Sequence, residues 1–274
     1  LLDNVSTCKS PQQMFGALAK TYYAEKIKVD PAKMVSVSIM PCTAKKFEAN
    51  RPEMNSSGFR DVDYVLTTRE LGHMIRQAGL DFRNLNDDKF DSIMGDSTGA
   101  AVIFGATGGV MEAALRTAYE IVTGREVPFK NLNIEPVRGL EGVKNAAVKI
   151  ENVKPEWKFL EGAELKVAIA HGLANADKLM KEVESGKSPY HFIEIMACPG
   201  GCIGGGGQPI PTSQEIRQKR MDAIYVADEN LPLRKSHDNP EVIAIYKEYL
   251  KEPLGHKSHH LLHTHYTPRK GRNG

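Results

Sequence analysis

The sequence is short of several things that usually announce a function. It has four cysteines in 274 residues, one tryptophan and a formal net charge of only +2. Four cysteines in a chain this long do not make a disulfide scaffold. Near-neutral charge argues against a nucleic-acid binder, which usually carries a basic excess. No apolar run approaches the ~20 residues of a membrane helix, and no secretory leader is visible. The chain opens on Leu1 rather than Met, which predicts that the natural N-terminus lies further upstream.

What is present is ordinary globular material, 41% hydrophobic and 26% charged, enough for one large domain or two smaller ones. Ser10-Pro11-Gln12-Gln13 reads as a helix start: Ser10 caps, Pro11 takes the first helical position and Gln13 bonds back. Residues 35–40 alternate and are β-branched, predicting a strand that ends at Pro41-Cys42. Thr67-Thr68-Arg69-Glu70 is a second capping box, with its helix stopping near Gly79. Residues 100–110 are small and glycine-rich, and a helix follows from Val110 to Gly124. Strands are expected at 165–170 and 191–196, the second ending at Ala197-Cys198, with a helix at 176–183 between them. Strands alternating with helices predict an α/β fold, with a site at the carboxyl ends of strands. Beyond Pro209–Pro211 the sequence becomes helical, charged and histidine-rich.

Two of the three expected strands therefore end in cysteine. Cys202 follows Cys198 across Pro199-Gly200-Gly201, which wraps as a loop, and Gly204-Gly205-Gly206-Gly207 comes next. Glycine lets backbone amides approach a bulky inorganic group closely, and thiolates are the usual ligands of iron–sulfur clusters. Two other readings stay open on spacing alone. A strand-end cysteine can be a small buried hydrophobe, and thiolates also bind zinc, although normally as paired Cys-x2–4-Cys sets.

Longer stretches narrow the choice. Met40-Pro41-Cys42-Thr43-Ala44-Lys45-Lys46-Phe47-Glu48 resembles one signature of the iron-only (FeFe) hydrogenases, and Met196-Ala197-Cys198-Pro199-Gly200-Gly201-Cys202, with the glycines through Gln208-Pro209, resembles another. Residues 104–116, Ser10–Gln13 and the segment from Arg234 onward are also similar to that family. The resemblance implies residues 1–209 as the C-terminal part of the catalytic domain, 210–267 as a small-subunit-like helical segment and 268–274 as a flexible basic tail. It implies an H-cluster: a 4Fe–4S cubane joined to a two-iron centre with CO, CN and dithiolate ligands. Cys42 and Cys198 match cubane ligands, and Cys202 matches the bridging cysteine. Lys45 matches the lysine hydrogen-bonded to cyanide. Met40, Phe104 and Met196 match residues packed on the two-iron centre, and Pro11 and Gln12 others near its diatomic ligands. Ser6 matches a proton-relay serine.

Glu48 has no defined role in this reading, and Cys8 is expected to be a free or buried thiol. The remaining family signature, a Thr-Ser-Cys-Cys-Pro-Gly-Trp-like stretch with one more cubane ligand, is not in the chain and is expected just before Leu1. The implied partners are that N-terminal part with its accessory clusters, and ferredoxin or NAD-linked redox subunits. The implied compartment is the cytoplasm, with the periplasm as alternative. Non-catalytic relatives, a hydrogen sensor or an iron–sulfur assembly protein, are the competing functions. Gly105-Ala106-Thr107-Gly108-Gly109 lacks the full nucleotide-loop pattern and reads as a turn. His256, His259, His260, His263 and His265 read as a polar surface helix.

Overall fold

The computed structural model describes residues 1–91 and 94–268; residues 269–274 of the expected tail lie outside them. The chain forms two compact units, one of residues 1–95, 207–209 and 241–274, the other of residues 96–206 and 210–240.

In the first unit, Ser10 caps α1 (Pro11–Leu18), its hydroxyl accepting from the Gln13 amide at 3.4 Å. The helix continues through a π turn, Ala19–Tyr23, and a last turn, Ala24–Ile27. The reciprocal half of the expected capping box is not made. Gln13 turns into the interior, where neither side-chain amide atom has a partner. β1 (Val37–Met40) begins two residues later than expected and is followed by α2 (Ala44–Ala49). β1 pairs in parallel with β2 (Tyr64–Thr67), Met40 opposite Thr67. β2 escapes a sequence reading because it runs straight into the capping box of α3 (Thr68–Gln77). That box is complete: Glu70 N–H donates to Thr67 Oγ1 at 3.2 Å, and Thr67 N–H to Glu70 Oε2 at 2.7 Å. Gly16 lets α1 lie directly on the loop before β2, where a Cβ would stand 2.5 Å from the Asp61 carbonyl oxygen.

In the second unit, the small, glycine-rich stretch opens with a short helix, α4 (Gly99–Ile103), capped by Thr98, and the turn expected at 105–109 follows it. Its small residues permit this, since a Cβ on Gly99 would collide with the Asp228 carboxylate. α5 (Gly109–Thr123) stops, as expected, at Gly124 in the left-handed region. The three-stranded sheet orders β3 (Val143–Lys149), β4 (Glu164–His171) and β5 (Phe192–Met196). β3 is antiparallel and β5 parallel to β4, and α6 (Leu173–Glu184) connects the last two. The core joins Met111, Leu115 and Tyr119 of α5 to Val148, Val167 and Ile169 of the sheet.

α7 (Gln214–Asn230) closes the unit and brings Asp228 to a buried ion network. Arg116, fully buried, donates to Asp228 Oδ1 at 2.9 Å and Oδ2 at 2.8 Å, and to Glu112 Oε1 at 2.7 Å. Arg138 donates to both oxygens of Glu112, and Arg234 to both oxygens of Asp228. Burial alone would raise the Asp228 pKa, but the bonds from Arg116 and Arg234 outweigh it and hold the carboxyl below its ordinary value.

The first unit is completed by α8 (Pro240–Ile245), which runs into a π turn, and α9 (His256–Leu262). Ile245, Leu250, Leu261 and Leu262 pack on Ala17 and Tyr22, so the histidine-rich helix has a buried apolar face. His259 and His263 stack, ring centroids 4.6 Å apart.

Candidate metal centre

Each unit carries one cysteine-bearing turn. In the second, the segment after β5 is fixed by backbone. Gly201 N–H donates to the Cys198 carbonyl and Gly205 N–H to that of Cys202, both at 3.0 Å. The loop is tied to the turn between α4 and α5 by Thr107 N–H to Gly200 O and Ile203 N–H to Gly105 O, again at 3.0 Å. Gly200 and Gly201 have φ of +80° and +90°, and a Cβ on Gly201 would stand 2.8 Å from the Thr107 nitrogen. Glycine is required there by both conformation and space.

Three contributors escape a sequence reading. His171, at the end of β4, accepts the Gly200 amide on Nδ1 at 3.1 Å, so its Nε2 carries the proton toward the Leu140 carbonyl, also at 3.1 Å. Glu194, buried in β5, accepts from the Gly108 and Met111 amides at 2.7 Å each and so neutralises the positive N-terminus of α5. Burial pushes its pKa up, against the pull of those amides. Lys144, buried beside the turn, donates to Gly139 O at 2.8 Å and Thr107 O at 3.2 Å. Burial lowers its pKa to about 8 despite nearby carboxylates. A strand-end histidine was the only sequence signal for these residues; the glutamate and lysine sit in strands where they would be expected to face water.

Cys198 and Cys202 are half-buried, and no disulfide involves any of the four cysteines. Thr107, fully buried next to the loop, has a hydroxyl without a partner. Met196 is half-buried at the end of β5, opposite His171. Phe104 packs with Ala100, Ile103, Ala113 and Ile224.

In the first unit, Cys42 is half-buried just past β1. The preceding Pro41 carbonyl accepts the Gly207 amide at 3.1 Å, and a Cβ on Gly207 would meet Thr67 at 2.8 Å. The structure gathers Pro11, Gln12, Met40 and Lys45 nearby. Gln12 accepts from Ser38 Oγ at 2.6 Å and donates to the Lys45 carbonyl at 3.3 Å. Pro11, Gln12 and Met40, with Phe15, Val37 and Ile39, line a groove of about 580 Å³. Lys45 Nζ lies 2.6 Å from Glu48 Oε2, and Ser10 Oγ donates to the same oxygen at 2.9 Å. Glu48 thus has a place: it orients the signature lysine. Ser6 is apart from this group, exposed, its hydroxyl accepting from the Cys8 amide at 3.3 Å. Cys8 is exposed rather than buried, because it lies in a surface bridge to His263.

Among the described residues, no group of three or more His, Cys, Asp or Glu side chains could hold a single metal ion. The closed tetrahedral set of the zinc reading therefore has no counterpart. The histidines of α9 form no such group either. An iron–sulfur cluster asks for something else: thiolates set around a bulky inorganic core, with close-approaching amides. The glycine loop carrying Cys198 and Cys202, with the partnerless Thr107 hydroxyl beside it, fits that demand.

Comparison with known proteins gives the family. A profile described as iron only hydrogenase large subunit, C-terminal domain, matches residues 1–206, and one described as iron hydrogenase small subunit matches residues 214–269. The chain belongs to the iron-only hydrogenase family. It is 51% identical to the NADP-reducing hydrogenase subunit HndD of Solidesulfovibrio fructosivorans, over 98% of this chain and 44% of that protein. A solved structure of FeFe-hydrogenase HydA1 from Chlamydomonas reinhardtii superposes with TM-score 0.82 at 45% identity, covering 97% of this chain and 71% of that one. The cytosolic Fe–S cluster assembly factor narfl of Xenopus tropicalis stands further off, at 30% identity over 97% of this chain and 54% of that protein. The chain spans about half the length of the curated relatives it matches. Among the described residues no helix is long and apolar enough to cross a membrane.

Proposed function

We propose that this chain supplies part of the active site of an FeFe hydrogenase, interconverting H2 with two protons and two electrons. The observation that carries the reading is the Cys198–Cys202 loop, whose two thiols stand on glycine backbone locked to the 105–107 turn. Cys42 and Cys198 are assigned as thiolate ligands of a 4Fe–4S cubane, and Cys202 as the bridge to a two-iron centre bearing CO, CN and dithiolate ligands. That group, when bound, would supply the hydrogen-binding metal and the electron path. The chain's own residues do the rest. Lys45, oriented by Glu48, offers an ammonium to an anionic ligand as a charge-assisted hydrogen bond. Met40, Phe104 and Met196 exclude water. Pro11 and Gln12 shape the same surroundings, and Ser6 passes protons.

The same reading assigns residues 1–209 to the catalytic domain and 210–267 to the small-subunit-like segment. The half-exposed β1 face, with Val37 at 52% and Ile39 at 47%, fits packing against the N-terminal part of the enzyme that carries the remaining cubane ligand. Ferredoxin or NAD-linked redox subunits are the proposed electron partners, and the cytoplasm the proposed compartment. Anaerobic infrared spectroscopy of the matured, intact enzyme tests the assignment: carbonyl and cyanide bands are expected, and their absence overturns it. The sensor or assembly-protein reading is favoured instead if a fully loaded enzyme turns over no hydrogen. Retention of Lys45, Met40, Phe104 and Met196 supports the enzyme.

A further inference from the structure

The segment carrying Ser6 does not hold itself in place; the C-terminal end of the chain straps it down. Residues 7–9 run antiparallel to residues 262–264, with Cys8 bridged to His263. Lys9 N–H donates to Leu262 O at 2.9 Å, and Thr264 N–H to Thr7 O at 2.8 Å. Thr7 Oγ1 and His263 Nδ1 share a hydrogen bond of 2.8 Å. Tyr266 then reaches past this short ladder and donates its hydroxyl to the Ser6 carbonyl at 2.8 Å. The Tyr266 ring is itself held: the Arg51 guanidinium lies over it, 5.1 Å from the centroid, and donates to the His265 carbonyl at 2.8 Å. On the other flank, Lys9 is buried against Asp61 at 3.2 Å.

We infer that Tyr266 is a positioning residue for the Ser6 hydroxyl. This rests on the reading that places Ser6 in the proton relay. A relay hydroxyl accepts one proton and passes on another, ending unchanged, so its rate depends on the direction of its O–H and lone pairs. Ser6 is exposed, its hydroxyl met by the Cys8 amide at 3.3 Å. The bonds from Tyr266 to the Ser6 carbonyl and from Thr264 to the Thr7 carbonyl restrain the backbone torsions that aim the side chain. Misplacement of about 1 Å at a reacting group can cost on the order of a hundredfold in rate. Burial elsewhere in the C-terminal segment anchors it through Leu261 and Leu262, so the strap is a fixed post rather than a loose end. The small-subunit-like segment thereby takes part in proton delivery without touching the metal.

Tyr266→Phe in the intact, matured enzyme removes one hydrogen bond and leaves the ring under Arg51. Expected are unchanged iron content and infrared bands, a roughly tenfold fall in turnover, and an enlarged solvent deuterium isotope effect. Ser6→Ala should lose at least as much, and adding Tyr266→Phe to it should cost nothing more, because the two act through one hydroxyl. Additive losses, or a Tyr266→Phe enzyme with wild-type turnover and isotope effect beside an impaired Ser6→Ala, overturn the inference while leaving the relay reading intact. Wild-type behaviour of Ser6→Ala overturns the relay reading, and the inference with it. Should Tyr266→Phe fail to mature, Arg51→Lys tests the same strap with the tyrosine hydroxyl present, and must show the same dependence on Ser6.

Discussion

The two cysteine-bearing turns differ in what stands behind them. The Cys198–Cys202 loop rests on a sheet with Val167 and Ile169 fully buried and on a turn that returns its backbone hydrogen bonds. The Cys42 turn ends a four-residue strand with one partner strand and a half-bare face. One turn is held by the interior of its own unit, the other by a few surface contacts. A cysteine at a strand end can thus be presented by a finished core or by a scaffold with surface left to cover. Mutations should expose that inequality.

The largest effects are expected at the three cysteines proposed as ligands, and they do not separate the turns. Cys42→Ser, Cys198→Ser and Cys202→Ser should each reduce hydrogen turnover of the matured enzyme by on the order of a hundredfold or more, with loss of iron, measured by gas evolution and iron content. Stability then divides them. Arg116→Met removes the buried arginine that joins Asp228 to Glu112, leaving them to Arg234 and Arg138, and should cost about 3–5 kcal/mol in denaturant unfolding. A loss under 1 kcal/mol would show that the network is dispensable.

A pH scan sharpens the same contrast. The Lys144 pKa of about 8 lies below its ordinary value of 10.5. Between those values the unfolded chain holds a proton that the folded one has released, so the second unit should gain stability as pH rises through that window, on the order of 1–3 kcal/mol. Lys144→Met should flatten the rise in melts followed from pH 7.5 to 10.5 (about one and a half units either side of 9). The smallest effect belongs to the first unit: Ile39→Thr, on the half-bare face, should shift the stability of this chain by no more than about 0.5 kcal/mol. A larger loss in that melt would mean the face is already covered.

Much of this was legible in the sequence, for local reasons. Strand ends at Met40 and Met196, the Thr67 capping box and the Gly124 stop all depend on neighbours a few residues away. What was missed depends on distant partners. In β5, alternation places Ile193 and Ile195 inward and Glu194 outward, yet Ile195 is 43% exposed and Glu194 only 5%. The reason is 83 residues away, in the amides that open α5. Glu112 and Arg116, one helical turn apart on α5, are interior because Arg116 meets Asp228 on α7, 112 residues on. β3 was missed because Lys144, Asn145 and two alanines dilute its apolar pattern. For the candidate centre, spacing alone left zinc open, and the longer signatures carried the choice.

The Glu194 contact also bears on when the cysteines become presentable. A carboxylate in the middle of β5 opposes burial of that strand until the Gly108 and Met111 amides are there to receive it. Those partners come from a remote stretch, so the strand and the start of α5 must be completed together. A half-folded chain keeps β5 wet and its trailing loop unshaped; only a finished unit holds Cys198 and Cys202 on their glycine frame. The buried carboxylate therefore ties presentation of these two cysteines to completion of the fold.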